Sequence, residues 1–134
     1  MAPSKSDIDS ALDQIDQNLE AATARWFDLL RIESISTDPA YKAECAKAGQ
    51  YLVDQLLEIG FDARLHETPG HPMVVAHHEG PENAPHVLFY GHYDVQPVDP
   101  LELWTTPPFE PTIVEVDSAN AFMLAAHLTT RANY

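Results

Sequence analysis

His92 and Asp94 are the two residues of this chain whose types and spacing can do chemistry. They follow an apolar run, Val87 to Tyr90, and a glycine, Gly91, where the backbone can turn as a strand ends. They open a loop stiffened by five prolines between Pro97 and Pro111. Residues two apart on an extended strand point to the same side, so the imidazole and the carboxylate can act together. A neutral imidazole binds zinc through one ring nitrogen at about 2.0 to 2.1 Å, while a nearby carboxylate takes the proton of the other nitrogen or tunes the metal environment. The chemistry offered is half of a metal site. Taken alone, His-x-Asp is more often a surface histidine beside a surface acid, and the flanking residues must decide.

The flanking residues carry a resemblance. Gly91-His92-Tyr93-Asp94-Val95-Gln96-Pro97, then Trp104 and Pro107-Pro108-Phe109-Glu110-Pro111, resemble the first metal motif of the di-zinc dipeptidases. That family also contains aminoacylases, acetylornithine deacetylases and succinyl-diaminopimelate desuccinylases. Leu30-Arg31-Ile32-Glu33-Ser34-Ile35-Ser36 is similar to the segment after the family's first helix, and Leu56 to Phe61 to its helix-to-strand junction. The resemblance runs from about Ile8 to Asp117. It implies the N-terminal part of a zinc-exopeptidase-like catalytic domain, an α/β fold with helices packed on a mixed sheet, incomplete here. It also implies a metal-dependent hydrolase acting on dipeptides or N-acyl amino acids, with two Zn2+ per site, Mn2+ or Co2+ being alternatives. His92 would be a ligand of one metal, and Asp94, the candidate catalytic acid, would orient or tune it. The HYDVQP and PPFEP patterns look closer to the dipeptidase branch than to the deacetylases. The family is often homodimeric, through a domain that has no counterpart in this sequence.

The elements that must position this pair follow from periodicity. Ile8, Ala11, Leu12, Ile15, Leu19, Ala22, Trp26, Leu29 and Leu30 keep the three-and-four spacing of one helical face. Ser6 or Asp7 can cap that helix, and Arg25 and Arg31 near its end suit the helix dipole. The residue before Pro39 is pushed out of helical geometry. A second helix is expected from about Tyr41 to Ile59, with Ala48, Tyr51, Leu52, Gln55, Leu56 and Ile59 as its packing stripe and Gly60 ending it in the left-handed conformation. Phe61 to Glu67, Met73 to His78 and His86 to Tyr90 read as three short strands separated by Gly- and Pro-bearing turns. Helices followed by strands make an α/β layer arrangement.

The remaining chemistry-bearing side chains have blander readings. His71, His77, His78 and His86 are read as structural or solvent-facing. Trp104 and Phe109 are read as anchors of the loop to the core. Cys45 sits in a helical pattern with no cluster of positive neighbours to activate it, so it is read as a small packed side chain. As the one cysteine, it excludes an intramolecular disulfide and suits a reducing compartment.

Composition narrows the partners. Seven Lys and Arg stand against 21 Asp and Glu in 134 residues, a formal net charge of -14. Such a chain is repelled by nucleic acid and by anionic membrane surfaces; a small peptide or N-acyl amino acid as partner is what the family resemblance implies. The first ten residues lack the apolar core of a signal peptide, and no run approaches the roughly 18 apolar residues of a membrane span. A cytoplasmic protein is expected.

The resemblance stops at Asp117. Residues 1–117 read as the N-terminal half of a metallopeptidase catalytic domain. Residues 118–134, SANAFMLAAHLTTRANY, read as an aberrant tail written in a shifted frame. Synonymous codons for Ser118 to Tyr134 can be chosen that, read after dropping the first two bases, encode GERFYARGASDDKGQL. That string contains the Ala-Arg-Gly and Asp-Asp-Lys-Gly runs with which the family continues, the first Asp of the latter bridging the metals. The family's general-base glutamate and further ligands are missing as well, which implies that the chain alone is inactive. The competing readings are an authentic tail, with a helix from Ala119 to Leu128 and His127 as a ligand, a metal-poor pseudoenzyme or binding module that pairs with an intact relative, and a nonfunctional frameshift product.

Overall fold

The computed structural model describes residues 4–117 and 120–124. Helix α1 spans Lys5–Leu30, and its cap is Ser4, not Ser6 or Asp7. Ser4 Oγ accepts from the Asp7 backbone N–H while the Asp7 carboxylate accepts from the Ser4 N–H, a reciprocal capping box. The earlier cap is favoured because each residue added to a nucleated helix gains a hydrogen bond. Asp38 is extended before Pro39, as expected, and its carboxylate accepts from the Ala40 N–H to start a short 3-10 turn, Pro39–Tyr41. Helix α2, Lys42–Glu58, follows directly, and Gly60 closes it with φ +92°.

Strands β1, Asp62–His66, and β2, Met73–His77, form an antiparallel hairpin in which Asp62 pairs with His77 and His66 with Met73. Helix α2 packs on this hairpin through Cys45, Ala48, Gly49 and Val53. Of the expected stripe, Ala48 is buried while Ile59 is exposed, so the packed face is turned toward the smaller residues. The reason is close approach: a Cβ on Gly49 would lie 2.7 Å from Leu65 Cδ1 and 3.3 Å from the Tyr93 hydroxyl.

A second antiparallel pair joins β3, Thr112–Asp117, to β4, Asn120–Leu124, with an irregularity between Glu115 and Asp117. The fold is α/β, helices on antiparallel sheet. The parallel component expected of a mixed sheet is present among the described residues as one bridge, Ile35 to Val95. Two expectations need correction. His86–Tyr90 is not a strand: it pairs with nothing in a ladder, and Leu88, Phe89 and Tyr90 are 88, 89 and 94% exposed. An extended apolar run becomes a strand only when neighbours supply its hydrogen bonds, and none of the described strands lies beside it. Asn120–Leu124 is strand rather than part of a helix, because it finds β3 as a partner. His127 and the other residues after 124 lie outside the described residues, as do 118 and 119.

No helix among the described residues is long and apolar enough to cross a membrane.

Candidate functional site

The site is built by lacing two distant segments together. Ser34, Ile35 and Ser36 run beside Tyr93, Asp94 and Val95. The Val95 N–H donates to the Ser34 carbonyl at 2.9 Å, and the Ser34 hydroxyl donates to the Tyr93 carbonyl at 2.8 Å. Ile35 and Val95 are both buried and pack with Tyr41, Val98, Trp104 and Phe109. Trp104 and Phe109 are thus the loop anchors expected, and the Trp104 indole N–H also donates to the Val98 carbonyl at 2.8 Å.

Alternation then decides what the polar side chains do. With Ile35 turned into the core, Ser36 reaches the site, where its hydroxyl donates to Asp94 Oδ2 at 2.6 Å. The other carboxylate oxygen, Oδ1, lies 3.1 Å from His92 Nδ1, which is also 3.0 Å from the Asp94 carbonyl oxygen. Both neighbours of Nδ1 are acceptors, so that nitrogen carries the proton and, in the neutral ring, the lone pair sits on Nε2. This is the tautomer that a carboxylate sets in a metal-ligating histidine. Burial pushes the Asp94 carboxyl up, but the hydrogen bonds from Ser36, its own backbone and His92, with the His92 charge, hold it below the ordinary carboxylate range. His92 and Asp94 side chains are 72% and 42% exposed, so the pair sits at the mouth of its cleft.

Behind the pair is a cleft of about 670 Å³ lined by Ser36, Cys45, Leu52 and His71 together with residues 89–94. His71 is structural, as read from sequence: its Nε2 donates to the Ser36 carbonyl at 2.7 Å, steadying the residue that holds Asp94. Its Nδ1 is buried without a hydrogen-bond partner among the described residues. Tyr93 donates its hydroxyl to the Pro72 carbonyl and rests against Gly49. Cys45 is fully buried; that burial, with the Asp94 charge, pushes its thiol up, which is the reverse of activation. His78 lies tilted against Phe61 and His77 lies beside His86, all of them around a second cleft away from His92.

Ser36 is the site residue that sequence reasoning missed. Its signal was present in Ser34-Ile35-Ser36, a polar-apolar-polar triplet. Nothing local, however, says that the partner of this triplet lies at Tyr93 to Val95.

A two-cation hydrolytic centre needs metals about 3.5 to 4 Å apart, held by a bridging carboxylate and further terminal ligands. Among the described residues, no group of three His, Cys, Asp or Glu side chains comes together to hold a metal ion. His92 and Asp94 fit one ligand and its orienting acid; the described residues do not fit the complete centre.

The chain is similar in sequence to metallodipeptidases and to succinyl-diaminopimelate desuccinylases, and in fold to a solved dipeptidase. It is 24% identical to the Cys-Gly metallodipeptidase dug1 of Schizosaccharomyces pombe over 119 residues, covering 81% of this chain and 25% of that protein. It is 38% identical to succinyl-diaminopimelate desuccinylase 1 of Alteromonas mediterranea over 63 residues, 47% of this chain and 16% of that protein. A solved structure of the di-peptidase Dug1p from Saccharomyces cerevisiae superposes with a TM-score of 0.69 at 25% identity, covering 76% of this chain and 24% of that one. The chain spans about a quarter of the length of the metallodipeptidases it matches. No family model matches it.

Proposed function

We propose that this chain is the N-terminal half of the catalytic domain of a metal-dependent dipeptidase, residues 1–117, followed by an out-of-frame tail, residues 118–134. Its native substrate class would be a dipeptide or an N-acyl amino acid; Cys-Gly is the dipeptide in the names of two of the relatives. His92 would ligate one of two Zn2+ ions, with Mn2+ or Co2+ as alternatives, and Asp94 would fix its ring. A metal bound there supplies Lewis-acid polarisation of a carbonyl and an activated water. The contribution of this chain's own residues is positional: Asp94 keeps the proton on Nδ1, Ser36 holds Asp94, and His71 holds Ser36.

The observation that carries the reading is the 3.1 Å contact of His92 Nδ1 with an Asp94 carboxylate that is itself anchored by Ser36. Without a bridging carboxylate and a general base, the chain alone is expected to be hydrolytically silent. The test has two arms. The gene in the shifted frame is expected to go on to encode the family's remaining motifs, the general-base glutamate and the further ligands, and unrelated codons downstream would refute the frame change. Purified chain assayed on Cys-Gly with Zn2+, Mn2+ or Co2+ is expected to give no turnover. Hydrolysis abolished by His92→Ala would instead show that the chain completes a working centre.

A further inference from the structure

His77 and His86 lie beside each other at the second cleft, away from His92 and Asp94. Their ring centroids are 6.0 Å apart, with the planes inclined at 34°. Both residues are exposed, and both line a cleft of about 690 Å³ together with Val74, Ala76 and Glu79. Neither has a part in the centre built around His92.

The juxtaposition is built by the chain between them. Strand β2 ends at His77, residues 78–85 reverse the direction, and His86 opens the exposed run. The reversal contains a formed turn: the Ala84 N–H donates to the Pro81 carbonyl at 3.0 Å, and Asn83 takes φ +64°, a left-handed conformation that asparagine tolerates. The run then passes back along β2. Ala76 and His77 share the second cleft with His86 and Val87, while Met73 and Val74 share the cleft behind His92 with Phe89 and Tyr90. His77 and His86 therefore hold opposing positions where the reversal closes.

We propose that His77 and His86 form a two-histidine site for a divalent transition cation such as Zn2+, Ni2+ or Cu2+. An imidazole nitrogen binds such an ion at about 2.0 to 2.1 Å and lies roughly 1.1 Å from its ring centre, so two rings sharing one ion have centroids at most about 6.4 Å apart. The observed 6.0 Å is within that reach. Exposed side chains change rotamer within nanoseconds, so each ring can turn a nitrogen toward the ion. A tetrahedral angle at the metal brings the centroids to about 5.2 Å, a shift that no ladder hydrogen bond of the run opposes. Chemistry selects the ion: imidazole suits zinc, nickel and copper, whereas Mg2+ and Ca2+ take oxygen ligands. No group of three His, Cys, Asp or Glu side chains forms among the described residues, so water completes the shell. The bound ion pins the first residue of the run to the end of β2. The site shares no residue with the His92 centre, and neither reading depends on the other.

Titration of the full chain with Zn2+, followed by the ring-nitrogen NMR signals of its seven histidines, tests this. The His77 and His86 signals are expected to move with one shared midpoint, and Mg2+ is expected to move neither. His86 lies in an exposed, unpaired segment, so His86→Ala removes no core contact. That variant is expected to raise the His77 midpoint at least about tenfold, and His77→Gln to do the same to His86. His78→Ala, which removes the ring beside Phe61, and His92→Ala are expected to leave the shared midpoint in place. Separate midpoints for His77 and His86, a His77 midpoint unmoved by His86→Ala, or an equal loss in His78→Ala or His92→Ala would each overturn the proposal.

Discussion

Ser36 donates a 2.6 Å hydrogen bond to the Asp94 carboxylate, and charge-assisted bonds of this kind are the strong ones. Removing it leaves Asp94 with one fewer donor and frees the carboxylate to rotate away from His92. The Asp94 side chain is 42% exposed, so water takes up part of the loss. Ser36→Ala is accordingly expected to lower the unfolding free energy by about 1 kcal/mol, measured by urea titration. An unchanged midpoint would show that Ser36 does not hold the site. Three links stand in series, His71 to Ser36, Ser36 to Asp94, and Asp94 to His92, and together they aim the imidazole.

The packing of α2 on the β1–β2 hairpin is set by small residues, with Gly49 at the closest approach. That contact reaches the site, because the Tyr93 hydroxyl lies on the same glycine and Tyr93 is flanked by His92 and Asp94. Gly49→Ala puts a methyl group into the far end of Leu65, a costly overpacking that the better helix propensity of alanine partly offsets. The net expectation is a loss of up to about 2 kcal/mol by thermal or urea unfolding. A gain in stability would show the helix–hairpin interface to be looser than the 2.7 Å approach indicates. The same proximity explains why the packed face of α2 centres on Cys45, Ala48, Gly49 and Val53 rather than on Ile59: the small side chains let the hairpin come close.

At the scale of the molecule, apolar residues of α1, Ile8, Leu12, Ile15 and Leu19, face solvent, and so does the run Val87 to Tyr90. The run invites aggregation, since an extended apolar segment with unsatisfied backbone is a template for other chains. Leu88→Lys with Phe89→Lys is expected to raise the concentration at which the chain stays in solution while moving its melting temperature little, because exposed positions make few contacts. Light scattering beside thermal unfolding checks both halves. A large fall in melting temperature would mean that the run is packed in solution. Its apolar character on both faces is that of a strand buried between layers, which agrees with a chain spanning about a quarter of its metallodipeptidase relatives.

What the amino-acid sequence determined by itself was local. The helix spans, the extended Asp38 before Pro39, the left-handed Gly60 and the adjacency of His92 and Asp94 are all set by interactions within a few residues, where backbone sterics and hydrogen bonding act without help from the fold. Tertiary structure decided what depends on distant partners. Ser36 meets Asp94 across 58 positions of sequence, His71 meets Ser36 across 35, and His86–Tyr90 stays unpaired for want of a neighbouring strand. A side chain's type advertises what it can bond to. Which partner it finds is fixed only when burial brings remote segments together, because a hydrogen bond or a ladder needs both of its ends in place.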